Sequence, residues 1–366
     1  MATGSSLLDM NQPLKTFSIS NHSIEKEMKN KKARQSICLS LFLGAVLSLP
    51  LQGQPELQFA NLGNFVLENG KIIENCKLGY RVYGKLNQDR SNAILFPAWL
   101  GGSSEMLNDF IGKGKLLDDA QYYIIAIDPI GNGISSSPSN YAGHSASDFP
   151  EYTISDMVKI EHKLLTEILN INSLFSAIGM SMGGHEVFEW VVSYPTFVKK
   201  AVPIVGTPRM TAYEKLYWQT QLEILNAFKN CSTCNSQRFL SLWISLFVYS
   251  AEYQNSNIQA DNFQVFLDQI GETPFNIDDY SSQIRAIQSH DVISKKGSIK
   301  EVASMVRSDL MVISASKDLI CNPHTAVEFA NAVGGQIHEL SSPCGHASFI
   351  CESELISGLV KEFFND

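Results

Sequence analysis

This sequence of 366 residues predicts an α/β architecture: a mostly parallel central sheet flanked by helices, with a helical lid inserted near its end. Three observations carry that expectation. From Ala93 onward short, mostly apolar runs recur, each trailed by a loop and usually by a helical pattern. Between Thr211 and Asp291 that strand rhythm stops and aromatic-rich helical patterns replace it. The glycine-flanked stretch Gly179-Met180-Ser181-Met182-Gly183 follows directly on the apolar run Leu174 to Ile178, as a strand running into a tight turn would. Near-continuous apolar strands alternating with helices belong to a parallel sheet covered on both faces.

The chain opens with an N-terminal extension, 1–53. Its first 27 residues are largely polar; Met28 then precedes a basic segment of Lys29, Lys31, Lys32 and Arg34, an apolar run from Ile37 to Leu51, and an exit near Gly53. That order resembles a secretory signal peptide, and the run is short for a transmembrane helix. Export, periplasmic or secreted, is the leading expectation, with no stable membrane span after cleavage. A cytoplasmic chain, or one anchored through residues 37–51, is the alternative. Cleavage would remove Cys38 and leave Cys76, Cys231, Cys234, Cys321, Cys344 and Cys351, an even set that permits disulfides in an oxidising compartment. Cys231 and Cys234 read as a local structural pair, because no second pair with metal-ligand spacing accompanies them. Cys321 and Cys344 read either as a bridge between two loops or as buried free thiols.

The domain proper spans 54–366. Gln58 to Leu62, Phe65 to Leu67 and Lys77 to Tyr83 read as short strands that give the sheet an antiparallel start. The parallel strands follow at Ala93 to Phe96, Tyr122 to Ile127, Leu174 to Ile178, Lys200 to Val205, Leu310 to Ser314 and Gln336 to Leu340. Helices are expected at Ile154 to Leu169, Met182 to Ser193, Pro323 to Val333 and Phe349 to Phe364, with Thr153 or Ser155 capping the first and Pro323 opening the third. The lid, 211–291, contains helical patterns at Tyr213 to Phe228 and Arg238 to Tyr249. Hydrophobic residues make up 44% of the chain and charged residues 18%, which suits a large core and excludes disorder. A formal charge of -9 with no basic cluster beyond the N-terminus excludes a nucleic-acid partner on electrostatic grounds.

Ser181 is the candidate nucleophile. A serine on so sharp a strand-to-helix turn needs small neighbours, and Gly179, Gly183 and Gly184 supply them. Its hydroxyl also needs a base, and the base an acid to hold its tautomer. Asp318 leaves the end of one late strand, in Ala315-Ser316-Lys317-Asp318, and His346 leaves the next, in Cys344-Gly345-His346. Parallel-sheet enzymes assemble their sites at that carboxyl edge. Of the eight histidines, His290 and His324 are the rivals, and His290 is also placed to line a pocket. The oxyanion of an acyl-transfer intermediate would be held by the backbone N–H of Met182 and that of Trp99, in Pro97-Ala98-Trp99-Leu100-Gly101-Gly102, with Leu100 the alternative at a one-residue shift. The loop Asp128-Pro129-Ile130-Gly131-Asn132-Gly133 lacks the residues of a phosphate or dinucleotide loop and reads as a structural turn. No cofactor and no metal are called for.

Over roughly Leu57 to Phe364 the sequence resembles the homoserine O-acetyltransferase group within the α/β-hydrolases. The resemblance is carried by Leu78-Gly79-Tyr80-Arg81-Val82-Tyr83-Gly84-Lys85-Leu86-Asn87, by the Ser181 elbow with Met182-Gly183-Gly184, by Ile287-Gln288-Ser289-His290-Asp291 and by Gly345-His346. It implies the α/β-hydrolase fold, an acyl-enzyme on Ser181 served by His346 and Asp318, and a helical lid over a deep tunnel. Two departures stand beside it. Where the family carries a lid arginine for the homoserine carboxylate, this chain has Gln221; where the family's early loop begins with histidine, it has Pro97-Ala98-Trp99. Arg209 or Arg285 could supply another anion contact. Gln221, Arg209 and His290 are therefore the substrate-side candidates.

The function expected is a serine hydrolase of esterase or thioesterase type, acting on a small-molecule acyl ester or thioester with water as acceptor. The alternative is a homoserine O-acetyltransferase-like acyltransferase using acyl-CoA, which an exported enzyme would not meet. A noncatalytic binding protein on the same fold is a third class, disfavoured by the intact serine, acid and histidine order. A homodimer is compatible with the resemblance.

Overall fold

The strand Ala93–Pro97 is buried at every position and lies near the middle of an eight-stranded sheet. This computed structural model describes residues 55–366 apart from positions 230, 273–274 and 295; the expected signal segment, 1–53, lies outside the described residues. In chain order the strands are β1 Gln58–Asn61, β2 Phe65–Val66, β3 Ile72–Ile73, β4 Lys77–Tyr83, β5 Ala93–Pro97, β6 Tyr123–Asp128, β7 Leu174–Met180, β8 Val198–Ile204, β9 Asp309–Ala315 and β10 Gln336–Leu340. The large sheet has the order β1-β4-β6-β5-β7-β8-β9-β10, and β2 pairs with β3 in a separate ribbon. β1, β4 and β6 pair antiparallel, and every pairing from β6 onward is parallel. The apolar runs thus form the covered, parallel part of the sheet, while β1 and β10, at its edges, each bury a single residue, Ala60 and Leu340.

Helices cover both faces. α1, Ile154–Lys163, packs on α2, Met182–Ser193, which lies against β7 and β8. Thr153 caps α1 by accepting from the Asp156 N–H, and Asp156 accepts from the Thr153 N–H in return. The helix predicted to run to Leu169 changes at Leu164 to a wider turn through Ile168. Trp190 and Phe188 of α2 and Phe96 of β5 are fully buried, each worth about 1.5–3 kcal/mol on burial.

Between β8 and β9 the chain builds α3 Ala212–Lys229, α4 Ser236–Val248, α5 Ala251–Asn257, α6 Phe263–Gln269 and α7 Ile277–Gln288. The base of this insertion is stitched by Val292 N–H to Pro208 O at 2.9 Å and Met210 N–H to His290 O at 3.2 Å. α8 Ile299–Met305 leads into β9, and α9 Pro323–Val333 starts at the Asn322 cap and ends at left-handed Gly334. The final helix predicted from Phe349 is broken at Glu352 into α10 Ser348–Cys351 and α11 Ser353–Asn365. Among the described residues no helix is long and apolar enough to cross a membrane.

The cysteines correct one expectation. Cys344 is bonded to Cys351, so no bridge joins it to Cys321, and Cys321 is a buried free thiol. Cys231 and Cys234 form the local pair.

Candidate active site

β7 delivers Ser181 into its turn with φ 55° and ψ −118°, a conformation non-glycine residues rarely occupy and one that costs about 1–3 kcal/mol. The neighbours hold it there. Ser181 N–H donates to Ile204 O at 2.9 Å, and the Ser181 carbonyl accepts from His185 N–H at 3.0 Å. A Cβ on Gly179 would lie 2.3 Å from Gly183 O, and one on Gly183 would lie 2.5 Å from Pro97 O. The glycines therefore let the elbow close on itself and let the start of α2 touch the loop after β5.

Three strand ends converge on Ser181. His346 Nε2 is 2.9 Å from Ser181 Oγ, and His346 Nδ1 is 2.7 Å from Asp318 Oδ2. Asp318 Oδ1 accepts from the Ile320 and Cys321 N–H groups at 2.7 and 2.8 Å, which fixes the carboxylate plane. Asp318 and His346 are buried while Ser181 is partly accessible, so the hydroxyl faces outward from a protected relay. With a carboxylate on Nδ1, the proton of neutral His346 sits on that nitrogen and Nε2 is free to accept from Ser181. Gly345, at φ +62°, passes so close to Val248 O and Ser250 N that a Cβ would lie 3.0 Å from each, which presses the His346 turn against the lid.

On the opposite side stands the loop after β5. Ala98 N–H is spent on Ile127 O and Gly101 N–H on Gln283 Oε1. The Trp99 and Leu100 N–H groups donate to no described group, and Met182 N–H is an orphan of the first turn of α2. These are the donors expected for an oxyanion. The Trp99 ring packs against Phe110 and Phe349 at centroid distances of 6.1 and 5.9 Å. From below, Asp128 accepts from Ser104 N–H at 2.8 Å, Ser104 Oγ at 2.6 Å and Asn132 Nδ2 at 3.3 Å, while Asn132 also donates to Gly102 O. The loop Asp128 to Gly133 is thus the structural turn its sequence predicted, and a support for the Trp99 loop.

The residues packed behind Ser181, Cys321 and His185, carry no local signal in the sequence. Cys321 is a neutral thiol: burial pushes it well above the ordinary cysteine range, only partly opposed by its contact with Ser181. His185 Nδ1 lies 2.9 Å from Thr207 N and 3.1 Å from Thr207 O, and its Nε2 is 3.9 Å from Cys321 Sγ. Burial, then His290, pushes His185 well below the ordinary histidine range, so it too is neutral. Asp318, Cys321 and His346 each offer a ligand atom within 4.8 Å of the others. Asp318 and His346, however, are already hydrogen-bonded to one another, Asp318 also to backbone and His346 also to Ser181 Oγ, so their ligand atoms are committed to the relay.

The substrate-side candidates separate. Gln221 is fully buried on α3, with neither amide atom in a well-formed hydrogen bond to a described group; its side chain lies against Tyr280, whose hydroxyl is pushed up by burial and eased by Gln221. Arg209 pairs with Glu328 at 2.8 Å and Arg285 faces Glu151 at 3.9 Å, so both charges are engaged away from Ser181. His290 is buried with its ring 5.4 Å from that of His185, and His346 is the histidine that meets Ser181. His324 is exposed at the start of α9.

A family model described as alpha/beta hydrolase fold matches residues 94–352, which contain Ser181, Asp318 and His346. The chain belongs to that family. This α/β hydrolase is 36% identical over 227 residues to the ethyl acetate hydrolase of Pseudomonas veronii, covering 58% of the chain and 65% of that enzyme. It therefore spans just under two thirds of that relative's length. It is also 27% identical to the homoserine O-acetyltransferase of Methanococcoides burtonii, over 82% of the chain and 72% of the relative. Among solved structures, an acetylester hydrolase from Corynebacterium glutamicum superposes with a TM-score of 0.78 at 27% identity, covering 85% of this chain and 96% of that one. The likeness to homoserine O-acetyltransferases read from the sequence stands, and esterases stand beside it.

Proposed function

We propose that this α/β hydrolase is an esterase that cleaves small acyl esters through an acyl-enzyme on Ser181. The observation that carries the reading is the unbroken relay from Ser181 Oγ to His346 to Asp318, at 2.9 and 2.7 Å. Ser181 Oγ attacks the ester carbonyl as its proton passes to His346 Nε2, and Asp318 steadies the imidazolium. The oxyanion takes the N–H groups of Met182 and Trp99, each such donor contributing about 2.7–4 kcal/mol to the transition state. Collapse breaks the ester C–O bond, and His346 returns its proton to the departing alcohol. A water then repeats the attack on the acyl-enzyme, releasing the acid and free Ser181. The ethyl acetate and acetylester hydrolases among the relatives support a short acyl group.

A second reading, acyl transfer from a thioester such as acyl-CoA to an alcohol, is favoured by the acetyltransferase relative. Gln221 weighs against homoserine as the acceptor, because a neutral amide supplies no cation for a carboxylate. It suits an uncharged polar group on a substrate. Hydrolysis of p-nitrophenyl acetate, compared with O-acetylhomoserine formed from acetyl-CoA plus homoserine, tests the order of the two readings. Faster transfer than hydrolysis would reverse it.

Export is proposed on the 1–53 segment, and the two disulfides support an oxidising compartment. N-terminal sequencing of the mature protein tests it, and a product that keeps Lys31 would refute cleavage.

A further inference from the structure

Gln283 stands 182 positions from Gly101 in sequence, yet it holds the Gly101 N–H of the Trp99–Gly102 turn from the lid. Its Oε1 accepts from Gly101 N–H at 2.9 Å, and its Nε2 donates to Ile130 O at 3.0 Å. The side chain is fully buried; its bond to Ile130 O is shielded from water and its bond to Gly101 N–H is partly so. The same turn is closed by Gly102 N–H to Trp99 O at 2.8 Å, so Trp99 and Leu100 lie inside a short loop whose far end Gln283 grips.

α7, which carries Gln283, is itself anchored to the body of the molecule. Asp279 accepts from Ser139 N–H and Ser139 Oγ at 2.8 and 2.5 Å, and Ser282 Oγ lies 3.0 Å from Tyr152 Oη. Tyr152 donates to the same Ile130 carbonyl that Gln283 uses. Phe275, just before α7, stacks on Tyr280 at 5.3 Å and sits where a Cβ on Gly101 would come within 2.9 Å. Gly101, at φ +69°, therefore accepts both the lid aromatic and the Gln283 amide. No part of the proton relay touches Gln283.

We propose that Gln283 is a positioning residue that sets the oxyanion donors from the lid: by fixing Gly101 N–H it holds the neighbouring Trp99 and Leu100 N–H groups free and aimed toward Ser181. Engagement of α7 then completes the oxyanion site, and displacement of α7 dismantles it without disturbing Ser181, His346 or Asp318. This inference rests on the esterase reading of the site.

The test compares the full-length wild type with Gln283→Met, which keeps length and apolar volume and removes both hydrogen bonds. Gln288→Met is the control: it makes the same replacement on the same helix, where the amide bonds Lys215 O and Gln219 Oε1 within the lid, and leaves Gly101 and the Asp279 and Ser282 anchors untouched. For p-nitrophenyl acetate, kcat of Gln283→Met is expected to fall about 10- to 100-fold with KM changed less than about threefold. Affinity for a trifluoromethyl ketone, whose adduct on Ser181 carries the oxyanion, should fall in parallel with kcat/KM. Gln288→Met should stay within about threefold of wild type in both measurements. Unchanged kcat in Gln283→Met, or an equal loss in Gln288→Met, would overturn the proposal. Should Gln283→Met not fold, amide exchange on the wild type decides: the peptide holding Gly101 is expected to exchange at the rate of α7 peptides, and free exchange there would overturn it. A wild type that neither hydrolyses the ester nor binds the ketone sinks the esterase reading instead, which keeps the two failures apart.

Discussion

In the proposed relay Ser181 meets His346 at 2.9 Å and His346 meets Asp318 at 2.7 Å, so single substitutions should have large and distinct effects. Ser181→Ala is expected to lower kcat by about a millionfold with the fold intact, measured by ester hydrolysis beside thermal melting. Asp318→Asn reverses the hydrogen bond that orients His346 Nδ1 and should cost about 10⁴-fold in kcat with little change in KM. Gly183→Ala puts a Cβ 2.5 Å from Pro97 O and should push the oxyanion loop off the elbow, lowering kcat by about tenfold or more and melting temperature together. At this scale the three relay residues were legible because each follows a recognisable strand and their order along the chain is informative. Gln283, Cys321 and His185 were not. Their roles come from contacts such as Gln283 with Gly101, which no local pattern in a single sequence pairs.

Between elements, a buried acid pair joins α1 to α2. Glu161 accepts from Trp190 Nε1 at 2.8 Å and is electrostatically coupled to Glu186; burial first, then repulsion from Glu161 in the case of Glu186, pushes both above the ordinary glutamate range. The folded state thus binds a proton more tightly than the unfolded chain. Stability from this pair is fully present below the ordinary glutamate pKa and is lost as pH rises through the raised folded values. Melting temperature should therefore decline from mildly acidic to alkaline pH, and Glu186→Gln should flatten that decline. An equally steep slope in the variant would assign it to other groups. The Cys344–Cys351 bond closes the turn that carries His346, so its reduction should lower activity before global unfolding is seen. Most element boundaries were readable within two or three residues, since apolar runs and caps are local signals. The break at Glu352 was not, because the apolar pattern continues across it from Phe349 to Phe364.

For the molecule as a whole, the β1-β4-β6-β5-β7-β8-β9-β10 order brings Trp99, Ser181, Asp318 and His346 to the same sheet edge from β5, β7, β9 and β10. The parallel class of this sheet was visible in its apolar runs; the strand order was not, because neighbours such as β5 and β7 are set by crossover packing. The helices between β8 and β9 were legible as an insertion, but their grip on the Trp99 loop pairs residues 182 positions apart, which no local pattern signals. Acceptor choice also belongs to this scale, since the lid at Val248 and Ser250 lies against the Gly345 turn that carries His346. With acetyl-CoA and homoserine supplied, release of acetate should exceed O-acetylhomoserine.

The central claim is that Ser181 carries the acyl group. Intact-protein mass spectrometry after reaction with a fluorophosphonate, followed by peptide mapping, tests it directly. A single adduct on Ser181, absent from Ser181→Ala and prevented by prior reaction with the ester, is the predicted result; no adduct on the wild type, or an undiminished one on Ser181→Ala, would contradict it.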